Sequence, residues 1–392
     1  MSRRPQAPDS LRIELAHALG FPDYPTNATA EPYLNYITNR HVGRGKLEGY
    51  LKLVIYVVNY FASEDDQELE PTKSIQGLLD TLLTSPDDYF SDTKAASQAR
   101  CEDVEDTILY IIGAWTLLLS SFVHLPVAGG ARKIALAYSI RAQESRSATF
   151  SHPYEEDFLD ELDSLESLHV AATRLNTYTL SVFGAIDIVW IHNISRHMLL
   201  CKRGGRHVLE IFALPCALDA TSLTASATGI TSEYAQEVRE SYSILFNAWS
   251  DTPPHARLGK FLGVRRFCWC WSCSAHRHRS QIISRHQKSS EKKIPSVKRR
   301  RAGHASEVDP LLIELMENES SDWTPELFPS LWSRIMILEE HLQNAKPWNI
   351  WILFRDRRDT LQFWTFFFAS VVVLLTIVQV FLGVAQVVGS FK

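Results

Sequence analysis

The sequence is poor in the features that mark most chemistries. Six cysteines in 392 residues, half of them between 268 and 273, are too few and too clustered for a disulfide framework and suit a reducing compartment. No apolar stretch follows the N-terminal MSRRPQAPDS, so no signal peptide is expected, and the sequons at Asn27, Asn193 and Asn318 read as chance matches. There is no G-x-S-x-G, no phosphate-cradling glycine-rich loop and no H-E-x-x-H. His192, Ser195 and His197 sit together, but no acidic partner can be placed beside them. The chain therefore reads as a non-enzyme, with no catalytic residue and no cofactor. A formal net charge of -5 argues against nucleic acid as a partner.

The most informative absence is of charge. From Thr360 to Phe391 there is no charged residue, and a helix of about 20 apolar residues already crosses roughly 30 Å of hydrocarbon. Residues 361–388 are read as one C-terminal transmembrane helix. Lys346, Arg355, Arg357 and Arg358 precede it and only Lys392 follows, which by the positive-inside bias leaves the N-terminal body in the cytosol. Trp348, Trp351 and Trp364, with Arg355, Arg357 and Arg358, are the expected membrane-interface residues, in the pattern of an aromatic belt beside a basic flank. An anchor this late in the chain is expected to insert after translation. Thr376, Gln379, Gly383 and Gln386 recur at steps of three, four and three along one seam. Glutamines in lipid seek hydrogen-bond partners and small residues admit close approach, so the seam is a candidate helix–helix contact, with a second copy or a partner helix.

What is present belongs to a folded body. Hydrophobic residues make up 45%, with ten Trp and thirteen Tyr, well above what disorder tolerates. The fold class expected is mainly α: a helical cytosolic domain with a small β-hairpin, plus the anchor. The organisation expected is a flexible N-terminus (1–30), a helical domain (31–260), a Cys/Trp and basic linker (261–306), a docking-helix region (307–347), a juxtamembrane segment (348–360) and the transmembrane helix (361–388). Apolar residues at helical period predict helices at 10–19, 46–61, 75–83, 155–174 and 232–249. Two further helical stretches are expected, a basic one at 132–143 and 178–183. Trp323, Leu327, Leu331, Ile335, Leu338 and Leu342 predict a single docking helix. Two apolar runs joined through Lys202-Arg-Gly-Gly-Arg206 predict a hairpin near 197–212.

Two stretches leave alternatives open. The run TILYIIGAWTLLLSSFVHLPVAGGA, 107–131, carries no charge. Its most apolar part is short for a crossing, and Ser120, Ser121, His124 and Pro126 crowd its second half, so a central buried helix is preferred over a second membrane segment. In the abrupt segment RRFCWCWSCSAHRHR, Cys268, Cys270, Cys273, His276 and His278 supply thiolates and imidazoles at short spacing, the donor types of a tetrahedral zinc site. The same cysteines, interleaved with tryptophan beside Arg265 and Arg266, fit S-acylation at a membrane surface, or plain packing. The basic stretch 287–304 reads as a linker, with Lys298 to Arg301 suited to anionic lipid.

The run Trp348-Asn-Ile-Trp-Ile-Leu-Phe-Arg-Asp-Arg-Arg-Asp-Thr-Leu-Gln-Phe-Trp-Thr365 resembles the C-terminal signature of a large group of uncharacterised fungal membrane-anchored proteins. Ile111-Ile-Gly-Ala-Trp-Thr116, Phe183-Gly-Ala-Ile-Asp187, Leu209-Glu-Ile-Phe-Ala-Leu-Pro-Cys216 and Glu240-Ser-Tyr-Ser-Ile-Leu-Phe246 extend the likeness. The resemblance implies a fungal source and a single C-terminal anchor, and it supplies no catalytic residues. Two-span magnesium-type transporters are set aside, because their Gly-Met-Asn signature is absent. The function expected is a membrane-tethered scaffold or interaction module whose partners are the lipid bilayer, a cytosolic protein and a second helix in the membrane. The alternative is a channel or transporter subunit with a second membrane segment at 107–131.

Overall fold

The computed structural model describes residues 9–40, 47–62, 74–84, 99–118, 122–126, 132–136, 169–224, 228–249, 255, 268, 270–292, 309–345 and 360–390. The fold is mainly α, with a small sheet and one long apolar C-terminal helix. In chain order come α1 (Asp9–Ala18), α2 (Glu31–Asn39), α3 (Leu47–Ala62), α4 (Ile75–Thr84) and α5 (Ala99–Trp115). A two-stranded pair β1 (Phe122–Pro126) and β2 (Arg132–Leu136) follows, then α6 (Thr177–Val182), β3 (Ile186–Ile191), β4 (Leu199–Arg203) and β5 (Arg206–Phe212). The chain continues through α7 (Ser232–Asn247), α8 (Trp271–Lys292), α9 (Pro310–Leu315), α10 (Trp332–Asn344) and α11 (Thr360–Ser390).

The helical periods translate into buried faces. In α3, Leu47, Leu51, Val54 and Val58 lie on one side and pack in the core with α1 and α5. Helix α7 buries Tyr234, Val238, Ser241, Tyr242 and Leu245, and Thr231 caps it by accepting from the Tyr234 N–H. A reciprocal capping box between Asn176 and Thr179 starts α6. These faces form one continuous hydrophobic cluster from Leu11 in α1 to Leu342 in α10.

The hairpin at the Gly-Gly tip forms as expected. Gly204 and Gly205 take φ of 55° and 81°, which only glycine adopts freely, and β4 and β5 pair antiparallel on either side. The sheet is larger than a hairpin, however. Strand β3 lies parallel to β5, in register from Ile186 opposite His207 to Ile191 opposite Phe212, so β5 is the central strand of three. Val208 to Phe212 are all buried, the pattern of a strand covered on both faces. The Glu210 carboxylate has no exposed surface and is ion-paired to Arg196 and Arg203, as a buried charge requires.

Several expectations are corrected. The uncharged run 107–131 is not one helix. Helix α5 stops at Trp115, Leu117 turns into the left-handed region at φ 59°, and the run continues as β1. The exit is fastened inside the body: Tyr33 Oη donates to the Trp115 carbonyl, the Trp115 indole N–H donates to Ser222 Oγ at 3.0 Å, and Ile194 N–H donates to the Leu117 carbonyl. Ile108, Ile111, Trp115 and Leu117 are buried. The basic stretch from 132 begins as strand β2, because its neighbour β1 offers a ladder to pair with. Residues 170–174 form a bridge and turns, not the end of a helix, with Val170 and Trp323 exchanging backbone hydrogen bonds at 2.9 and 3.0 Å. The linker expected from 287 is helical as far as Lys292. The docking stripe divides: Trp323 sits in that bridge, Leu327 is exposed, and only the part from Trp332 is helix α10. The expectations for 155–168, for Lys298 to Arg301 and for the juxtamembrane residues Trp348, Trp351, Arg355, Arg357 and Arg358 fall outside the described residues.

The division of the stripe has a stability consequence. Trp323 is wholly buried and its indole N–H donates to the Leu175 carbonyl at 2.9 Å. Trp323→Ala is expected to cost about 3–5 kcal/mol in denaturant unfolding of the full chain in detergent. Leu327→Ala, at an exposed position, should stay within about 0.5 kcal/mol. Equal losses would restore the single-helix stripe.

Candidate metal centre

The cluster begins where α7 ends. After Asn247, Trp249 stacks edge-on against Tyr178 of α6 and tilts against Trp271, the first residue of α8. His255 and Cys268 lie within the stretch between the two helices, Cys270 immediately precedes α8, and Cys273 lies in its first turn. One Nε2 and three Sγ atoms come together within 4.8 Å of one another. His255 Nε2 lies 3.2 Å from Cys268 Sγ and 3.6 Å from both Cys270 Sγ and Cys273 Sγ.

Helix α8 is held in place by its own side chains. Trp271 stacks on Phe183 with centroids 5.4 Å apart, Ile282 is buried, and Arg279 donates to the Met316 carbonyl at 3.0 Å. Arg277 Nη1 donates to the Cys268 carbonyl at 2.6 Å and its Nη2 to Ser274 Oγ at 3.0 Å, tying the residues before the helix to its first turns. The backbone N–H groups of Cys270 and Cys273 point at the Sγ atoms of Cys268 and Cys270, at 3.5 and 3.4 Å. Such donors stabilise thiolate over thiol. The Cys270 N–H is the first reason that the Cys268 thiol is brought down to about 7. Burial, followed by its two neighbouring thiols, pushes Cys273 up to about 12. Three thiols this close do not ionise together unless a cation joins them.

Three of the five donors expected from spacing are brought together and two are not. Cys268, Cys270 and Cys273 converge, but the imidazole among them is His255. His278 sits on α8 with its ring 5.8 Å from that of Tyr178, and burial, then Arg285, lowers its pKa to about 4. His276 is on α8 as well and is not part of the cluster. His255 lies 13 residues before Cys268, beyond the compact run that draws the eye.

Other sites separate in space. Ser195 Oγ donates to Asn193 Oδ1 at 2.7 Å, and His192 stacks on Tyr36 with centroids 5.0 Å apart. His197 is wholly buried: its Nδ1 accepts from Phe212 N–H at 3.2 Å, which places its proton on Nε2, aimed at Ser241 Oγ 2.7 Å away. No nucleophile and base pair is formed by these three. In α11, Trp364, Thr376, Gln379, Gly383 and Gln386 are all exposed, and the Thr376 hydroxyl donates back to the Val372 carbonyl at 2.8 Å. Compared with protein-family models, curated proteins and solved structures, the chain matches none.

Burial, and then the nearby Arg334, lowers the His197 pKa to about 3, against an ordinary value of 6.5. The native imidazole stays neutral while an unfolded one takes a proton below about pH 6.5, so the unfolded state binds more protons there and stability falls with falling pH. The loss should begin near pH 6.5, grow by on the order of 1 kcal/mol per pH unit, and level off near the folded value. His278 adds a loss of the same sign. Denaturant titrations of the full chain between pH 8 and pH 5 measure it. A flat profile would mean that His197 is not held neutral.

Proposed function

We propose that the chain is a membrane-tethered, non-catalytic scaffold or interaction module, its helical body held at the cytosolic face of a membrane by α11. The observation that carries the proposal is the hydrocarbon of that helix. The window Phe367–Val384 is long and apolar enough to cross a bilayer, and none of it is buried against the body. Phe381 is 71% exposed and Leu374 63%. Exposed apolar area on this scale favours transfer into lipid by roughly 25 cal/mol per Å². The flanking charge gives the orientation: Arg355, Arg357 and Arg358 precede the helix, and basic residues stay on the cytosolic side.

The body supports a tether more than a pore. The apolar residues of α5 are spent in the core, and its end is fastened by Tyr33 and Ser222. The channel or transporter alternative needs that segment in lipid. Within the membrane, Thr376, Gln379, Gly383 and Gln386 form the face on which a second α11, or a partner helix, would pack, and a Cβ added at Gly383 would meet nothing within 4 Å.

Alkaline carbonate extraction tests the tether. The full-length chain should stay with the membrane, and a version truncated after Asp359 should move wholly to the soluble fraction as folded protein. A truncated chain that stays in the pellet without aggregating would put part of the body in the bilayer and favour the transport alternative.

A further inference from the structure

We propose that His255, Cys268, Cys270 and Cys273 bind one zinc ion in a closed structural site that clasps the start of α8 to the chain leaving α7. A tetrahedral ion with Zn–S of about 2.3 Å and Zn–N of about 2.0 Å sets its donors roughly 3.6 Å apart for N and S and about 3.8 Å for two sulfurs. The three N···S separations of 3.2, 3.6 and 3.6 Å match that edge, and all four donors fall within 4.8 Å of one another. This compactness selects a single ion. An iron–sulfur cluster places metal and sulfide atoms between its cysteines and spreads them wider. Three thiolates with one imidazole are the donor types that zinc takes in structural sites.

The surroundings suit the product. Zinc displaces a proton from each of three thiols, and the resulting centre carries one net negative charge. Cys270 and Cys273 offer backbone N–H groups to sulfur, the positive end of α8 faces the cluster, and the Arg277 guanidinium is fixed on the Cys268 carbonyl. Four protein donors leave no open coordination position, so the site is structural and not catalytic. Its mechanical effect follows from the chain path. His255 comes after α7 and the cysteines open α8, so the ion joins these two parts of the chain and fixes the helix that carries Trp271 against Phe183 and Arg279 against Met316. Thiolates engaged in this way are withdrawn from acylation. The inference stands independently of the tether.

The test uses untagged full-length protein purified in detergent, with its metal content measured by elemental mass spectrometry. One zinc per chain is expected, lost in His255→Ala and in Cys270→Ser and kept in His276→Ala and His278→Ala. Because loss of a ligand can also unfold the chain, His255→Cys provides the second arm. It should retain the metal, and its cobalt-substituted form should show a stronger sulfur-to-cobalt charge-transfer band than the native site. If both His255→Ala and His276→Ala lose the metal, retention by His255→Cys upholds the proposal and its loss overturns it. Zinc kept by His255→Ala but lost by His276→Ala would overturn it too. So would copper or iron in place of zinc, or a metal-free wild-type chain whose three thiols are alkylated freely or carry hydroxylamine-labile acyl groups.

Discussion

Leaving a buried polar atom without a partner costs about 1–3 kcal/mol, and at several points the body meets this constraint by reaching across long stretches of sequence. Ser222 Oγ accepts from the Trp115 indole and donates to the Leu19 carbonyl, linking three distant segments through one hydroxyl. The Asp309 carboxylate accepts from Cys216 N–H and caps α9 through Leu311 N–H. Glu237 of α7 accepts from the backbone N–H groups of Ser330 and Leu331 ahead of α10. Arg334 of α10 donates to the His197 carbonyl beside the sheet. Each pair is stable only when the apolar faces around it have closed, so the hydrogen bonds and the core specify the same arrangement.

These long-range pairs mark the limit of what could be read from sequence. Local signals were legible. The Gly204-Gly205 tip placed the β4–β5 turn, the apolar period placed α3, α4 and α7, and the missing charge placed α11. What failed was decided at a distance. The basic stretch after Arg132 has helical composition, yet β1 offers it an edge and it becomes a strand. Trp323 and Ile335 share an apolar stripe, but the Val170 backbone captures the first into a bridge. Likewise, β3 pairs parallel to β5 and enlarges the hairpin into a sheet, a contact no turn sequence announces.

The candidate metal centre divides along the same line. Its cysteines lie within six residues and are visible as donors, whereas the imidazole, that of His255, comes from 13 residues before Cys268 and stands where the nearer His276 and His278 were expected. His278 is instead drawn toward Tyr178 by the burial of the α8 face on α6 and α7. A helix rich in arginine and histidine, which would read as a solvated linker, thereby becomes part of the body.

The body and α11 present their apolar residues differently. Inside the body apolar residues are covered by one another, and along Phe367–Val384 of α11 none is covered by the described residues. Our account assigns that surface to lipid and the body to the cytosol. Protease protection on intact organelles tests it most directly, with epitopes at the two ends of the chain. The account predicts that added protease removes the N-terminal epitope and the body while the C-terminal epitope survives until detergent is added. Protection of the body, or loss of both epitopes before detergent, would contradict it.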